Sequence, residues 1–147
     1  MKIPISVLVV IYKSSGEVLL IERADKAGFW QSVTGSVDVI DEDLSLAAAR
    51  EVLEETGIDV KSLPAGSLQD MNHQIEYEIY PQWRYRYAPG VIKNTEHWFS
   101  LRVPDDTPVI LAPREHVAYQ WLPYREAGSK CFSRSNGEAI LQLFSAP

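Results

Sequence analysis

The chain has 147 residues, enough for one domain and too few for two, and long enough to bury roughly two-thirds of its unfolded surface. Apolar residues make up 46% and charged residues 23%, with four Trp, seven Tyr and four Phe, which excludes a disordered chain. Fourteen Lys and Arg against twenty Asp and Glu leave a net charge of -6, which argues against a nucleic-acid binder and means that a polyanionic substrate needs metal ions to bridge like charges. The single cysteine, Cys131, rules out an internal disulfide and a Cys-based zinc site, and is expected to be a small buried hydrophobe. The longest apolar run, Val7 to Tyr12, is far too short to cross a membrane, and no signal peptide is expected. The expected location is the cytoplasm.

Along the chain, Ile5 to Ile11 reads as a strand, Ser14-Ser15-Gly16 as a turn and Val18 to Ile21 as the returning strand of a hairpin. Phe29 to Thr34 reads as a third strand, stopped at Gly35. Asp43 to Thr56 is rich in Leu, Ala, Glu and Arg and predicts a helix, with Asp41 or Asp43 as its N-cap and Gly57 as a left-handed C-cap. Ser62 to Gly66 reads as a loop. Gln74 to Trp83, Thr95 to Val103 and Val117 to Leu122 read as strands, with turns at Pro89-Gly90 and Pro104-Asp105-Asp106, and Gly137 to Phe144 reads as a closing helix. Strands in several runs around one strong helix indicate a single α+β domain, an αβα sandwich spanning residues 1–147.

The most informative segment is Arg50-Glu51-Val52-Leu53-Glu54-Glu55-Thr56-Gly57. Glu51, Glu54 and Glu55 stand at i, i+3 and i+4 and so share one helix face, with Leu46, Ala49, Val52 and Leu53 expected to pack on a sheet from the opposite face. Like charges at these spacings cost roughly 0.2–0.5 kcal/mol per pair, and they lie near a helix C-terminus, where the macrodipole disfavours anions. The plainer reading is a solvated acidic face. The sharper one is a site for a hard divalent cation, which takes carboxylate and phosphate oxygens.

The residues before the helix decide between the two. Gly35, then Glu42, then Arg50-Glu51-Val52-Leu53-Glu54-Glu55-Thr56-Gly57-Ile58 resembles the Nudix box, the signature of hydrolases that cut nucleoside diphosphates linked to another group. Six residues separate Gly35 from Glu42 where the pattern has five, which reads as a one-residue insertion in the loop before the helix. The resemblance implies a mixed sheet flanked by helices, with Glu51 and Glu55 holding divalent metal, Mg²⁺ or Mn²⁺. It also implies that Glu54 adds a ligand through water or orients one, and that Arg50 holds a glutamate in place.

Outside the box, Phe29 to Ser36, Arg86 to Val91, Asn94-Thr95-Glu96, Trp98-Phe99, Glu115-His116, Tyr119, Trp121-Leu122, Ser133, Ser135, Asn136 and Ala139-Ile140 resemble the Nudix branch that cleaves dihydroneopterin triphosphate in bacterial folate synthesis. That resemblance implies a third metal-site carboxylate and candidate base at Glu115. It implies substrate contacts at Lys2, Arg23, Thr34 and Ser133, and a pterin border at Tyr77, Glu78, Ile79 and Tyr80. The plainer readings are a turn glutamate for Glu115, a strand-end charge for Arg23 and a core strand face for Ile75, Tyr77 and Ile79. His116 reads as structural. The implied partner is a small-molecule triphosphate, with no nucleic acid, membrane or obligate protein partner. The alternatives are a Nudix pyrophosphatase for (deoxy)nucleoside triphosphates, oxidised ones included, and a Nudix-fold binding module without catalysis.

Overall fold

In the computed structural model, which describes residues 1–145, the elements run β1 (Ile5–Tyr12), β2 (Glu17–Arg23), β3 (Trp30–Gln31), β4 (Val33–Ser36), α1 (Leu44–Thr56), β5 (Leu68–Glu78), β6 (Lys93–Arg102), β7 (His116–Pro123), α2 (Tyr124–Lys130) and α3 (Arg134–Ser145). Ser6 to Ile11 of β1 are all buried, as the unbroken apolar run requires of a strand covered on both faces. β1 runs parallel to β6 from Ile5–Thr95 to Tyr12–Arg102, and antiparallel to β4 from Ser6–Ser36 to Val9–Val33. The expected hairpin forms, but β2 keeps only the pair Tyr12–Val18 with β1. It then diverges to pair with β3 and β7. β5 closes the far edge against β6.

The sheet is mixed and sandwiched by helices, as expected. Alternate residues feed two cores. Val7, Val9, Ile11, Leu19, Ile21, Phe99 and Leu101 pack with α1 on one face. Leu8, Val10, Val18, Leu20 and Trp98 pack on the other with Ala127 of α2 and with Ala139 and Ile140 of α3. Cys131 lies half-buried at the edge of this second core, and burial pushes its thiol up to about 12.

Several expectations need correction. Leu46 and Leu53 do not pack on the sheet: they are 64% and 50% exposed, and Ala47, Ala48, Val52 and Glu55 form the buried face of α1. The small alanines let the helix lie close to the sheet, so the face turned inward carries part of the acidic stripe. Asp43, not Asp41, is the N-cap, accepting from Leu46 N–H at 3.1 Å, and Gly57 closes the helix at φ 74°. The strand expected over Phe29 to Thr34 is two short strands broken at Ser32, where the chain changes partner from β2 to β1, and it continues through Gly35 to Ser36. β5 begins at Leu68, hidden in the sequence by a bulge between Asp70 and Gln74 with Asn72 at φ 53°. It ends at Glu78, because Pro81 cannot donate to a ladder and opens a 3₁₀ stretch to Arg86. α2 lies between the expected last strand and closing helix, where no element was expected, and α3 starts at Arg134 rather than Gly137. The two helices cross at their glycines: a Cβ on Gly137 would lie 2.7 Å from the Gly128 carbonyl oxygen.

Candidate active site

The Glu51 carboxyl of α1 lies against Gly35 of β4, in the space that a Cβ on Gly35 would fill. One turn on, Glu55 is buried, and neither of its carboxyl oxygens has a hydrogen-bond partner among the described residues. Burial pushes the Glu55 carboxyl well above the usual carboxylate range, and the neighbouring Glu51 adds to the rise. Burial raises the Glu51 carboxyl as well. Two carboxylates are thus held side by side, partly out of water, at a cost in the absence of a cation. Glu54 is half exposed, lies 3.7 Å from the Arg50 guanidinium and lines the same cleft as the pair.

Arg50 gathers the surrounding acids. Its guanidinium donates to Glu51 at 2.9 Å and to Glu42 at 3.1 Å, and it pairs with Asp38 at 3.1 Å. The longer loop before the helix is taken up as a turn: Glu42 N–H donates to the Val39 carbonyl at 3.1 Å, while Asp38 N–H donates to the Glu42 carboxylate at 2.7 Å. Glu42 therefore reaches Arg50 despite the extra residue, and Val39 and Ile40 are left exposed.

A cleft of about 1170 Å³ runs from this pair across the end of the sheet. Despite the net negative charge of the chain, it holds a cationic group. Lys2, Arg23 and Arg86 line it together, and Lys2 N–H donates to the Arg86 carbonyl at 2.8 Å. Lys2 keeps part of its surface in solvent, while its ammonium lies where burial, then Arg86 and Arg23, hold it below the usual lysine value. The guanidinium fork of Arg23 is closed on Asp25 through two hydrogen bonds of 2.8 Å, and its plane lies over Trp83, 4.7 Å from the ring centroid. A two-pronged grip on phosphate would require Asp25 to yield; otherwise Arg23 offers its remaining amino group.

Thr34 and Ser133 line the cleft, as do Tyr77, Glu78, Ile79 and Tyr80 where β5 ends. Of the last four, Ile79 is buried and Tyr80 stands edge-on to Trp83 at 5.3 Å. Glu115 sits exposed on the loop entering β7 and also borders the cleft. His116 is buried, shares a hydrogen bond of 3.3 Å with Gln31, and its Nε2 is 3.8 Å from a Glu55 oxygen. Burial, then Arg23, lower it to about 4, so it is a neutral packing partner of Glu55 near neutral pH. Reading the sequence did not single out Arg86, Trp83, Asn94 or Glu96 as site residues. The available signal was Glu96, an acidic residue two positions before Trp98 and so on the same face of the strand.

The NUDIX domain family matches residues 2–143. The chain belongs to the Nudix family. It is 45% identical over 143 residues to the dihydroneopterin triphosphate diphosphatase of Escherichia coli K12, covering 97% of this chain and 93% of that one. It is 41% identical over 136 residues to the enzyme of the same name in Haemophilus influenzae, covering 92% and 84%. The solved structure of the E. coli dihydroneopterin triphosphate pyrophosphohydrolase superposes with a TM-score of 0.86, at 45% identity and over 96% of this chain and 94% of that one. This Nudix chain is a hydrolase of phosphoric anhydride bonds.

Nudix hydrolases use a divalent metal. The donors here suit one: hard oxygens, two of them buried and unpartnered on Glu55, beside the Glu51 carboxyl. Among the described residues, no three His, Cys, Asp or Glu side chains stand close enough together to enclose an ion. Glu51 and Glu55 are the pair brought together, and Glu115 remains on the adjoining loop. Such a pair leaves coordination positions for phosphate oxygens and water, as Mg²⁺-dependent phosphoryl chemistry requires.

Proposed function

We propose that this Nudix hydrolase converts dihydroneopterin triphosphate to dihydroneopterin monophosphate and pyrophosphate, a step of folate synthesis in the cytoplasm. The observation that carries this reading is the kinship with the E. coli enzyme named for that substrate, which extends over 97% of the chain and so includes the cleft walls outside the box. In this reading Glu51 and Glu55, with Glu115 approaching from its loop, hold Mg²⁺ or Mn²⁺. The metal, when bound, neutralises phosphate oxygens and makes water more acidic. Arg50 keeps Glu51 in place through its 2.9 Å hydrogen bond, and Glu54 orients water at the helix flank. Lys2, Arg23, Thr34 and Ser133 bind the triphosphate, and Tyr77, Glu78, Ile79 and Tyr80 border the ring. Glu115 is the candidate base.

The test is a panel of dihydroneopterin triphosphate, GTP, dGTP, 8-oxo-dGTP and ATP at equal concentration with Mg²⁺, scored by phosphate products. The pterin is expected to show the highest kcat/KM. A nucleoside triphosphate that outruns it would replace this reading with that of a nucleotide pyrophosphatase on the same fold.

A further inference from the structure

Asn94 and Glu96 stand two residues apart on β6 and so point to the same face of the sheet, and both are almost wholly buried, 1% and 2% exposed. Two positions further on, the same face carries Trp98 in the core beneath α3. A buried carboxylate and a buried amide at such positions are costly unless something satisfies them. The fold does so only in part. Asn94 Nδ2 donates to Ser6 Oγ at 2.7 Å and to the Tyr77 hydroxyl at 3.1 Å, while its Oδ1 is buried with no partner among the described residues. Trp98 Nε1 donates to Glu96 Oε1 at 3.1 Å, and Ser135 at the start of α3 stands beside the same carboxylate as a second donor, which leaves lone pairs of a carboxylate on the cleft side for a further donor. Burial pushes the Glu96 carboxyl up, and the hydrogen bonds from Trp98 and Ser135 oppose the rise only in part.

Ser6, Tyr77, Asn94 and Glu96 all line the cleft. Its two ends thus differ in kind. Lys2, Arg23 and Arg86 make one end cationic and suited to phosphates, whereas an anionic group placed beside Glu96 would be repelled. The Asn94–Glu96 end offers acceptors to a neutral group rich in N–H donors. We infer that Glu96 and Asn94 read the donor edge of a 2-amino-4-oxopyrimidine ring, the edge shared by pterins and guanine. The ring N–H and the adjacent amino group donate to the Glu96 carboxylate, and the Asn94 carbonyl accepts a further ring donor. Adenine presents a ring acceptor at this edge, and hypoxanthine lacks the amino group, so each would leave a buried acceptor unpaired. This assignment deepens the proposed function and rests on its placing the ring of a triphosphate substrate in this cleft.

The test compares GTP with ITP, which differ only in the 2-amino group, in one tube with Mg²⁺, for the wild type and Glu96→Gln. The amide keeps an oxygen for Trp98 Nε1 while removing the charge and the second acceptor. Because both substrates compete for the same molecules, the ratio of their kcat/KM values does not depend on how much of the variant folds. The wild type is expected to favour GTP by roughly 10- to 100-fold, and Glu96→Gln to bring that ratio close to one. If the variant is too slow to assay, fluorescence titration of metal-free protein with pterin and with pteridin-4-one, its analogue carrying hydrogen in place of the 2-amino group, gives the same comparison. A preference for pterin in the wild type that disappears in Glu96→Gln supports the assignment. A wild type without preference, or an unchanged preference in Glu96→Gln, overturns it. If GTP outruns dihydroneopterin triphosphate while the GTP/ITP ratio still collapses in Glu96→Gln, the substrate reading fails and the edge assignment stands. If dihydroneopterin triphosphate is preferred and the ratio does not move, the reverse holds.

Discussion

The carboxyl of Glu51 fills the space that a side chain on Gly35 would occupy. Gly35 sits within β4 opposite Val7 and has no positive φ, so alanine suits its backbone and the nearest conflict falls on the Glu51 carboxyl. Gly35→Ala should therefore fold and yet push the carboxylate out of place. A displacement of about 1 Å at such a group costs on the order of 10²-fold in rate. A loss of that size in kcat/KM is expected, together with weaker Mn²⁺ binding by calorimetry. Full activity in Gly35→Ala would show that the contact does not position Glu51.

Chelator should abolish turnover and Mg²⁺ should restore it. Glu51→Gln and Glu55→Gln should each lose most activity with unchanged far-ultraviolet circular dichroism, and Glu115→Gln should lose less. Near-normal rates in both helix variants would remove α1 from the metal site.

The metal-free protein should show a pH signature of Glu55. Its carboxyl is raised well above 4.5 in the fold, by burial first and by Glu51 second, so the folded state holds a proton that the unfolded chain releases. The stabilisation is complete below pH 4.5 and is lost as pH rises through the folded value. In chelator, Glu55→Gln should be more stable than the wild type near neutral pH, with the gap closing below pH 4.5. Urea midpoints across this range measure it. Saturating Mn²⁺ should favour the wild type instead, because an ion that binds only the folded state stabilises it.

Cys131 should be chemically quiet. Its thiol is pushed by burial from 9.0 to about 12, which leaves about a thousandfold less thiolate at pH 8. Alkylation of the native protein should be far slower than that of the urea-unfolded chain. Equal rates would mean that the edge of the second core opens readily.

The bond that is cut can be read from isotope. Hydrolysis of dihydroneopterin triphosphate in ¹⁸O-labelled water should place the label in the monophosphate, as attack at the α phosphorus requires. Label in the pyrophosphate would mean attack at the β phosphorus and a reversed seating of the chain of phosphates.

Much of this molecule is legible from its residues alone. The apolar run of β1, the Asp43 and Gly57 caps and the i, i+3, i+4 glutamates follow from local rules, because a strand's burial, a helix's ends and its charge spacing are set by near neighbours. The box from Gly35 to Ile58 identifies the family for the same reason: its glutamates sit on one helix, at spacings that helix geometry fixes. Tertiary structure decided which side of that helix faces inward. Equal apolar stripes compete, and the closer approach available to Ala47 and Ala48 leaves Leu46 and Leu53 outside. It also decided the rest of the cleft. Asn94 meets Ser6 across 88 positions of sequence, and Lys2 meets Arg86 across a comparable span. Such pairs depend on the parallel register of β1 and β6 and on the divergence of β2 from β1. Register is set by burying whole faces at once, a global condition that no local spacing carries.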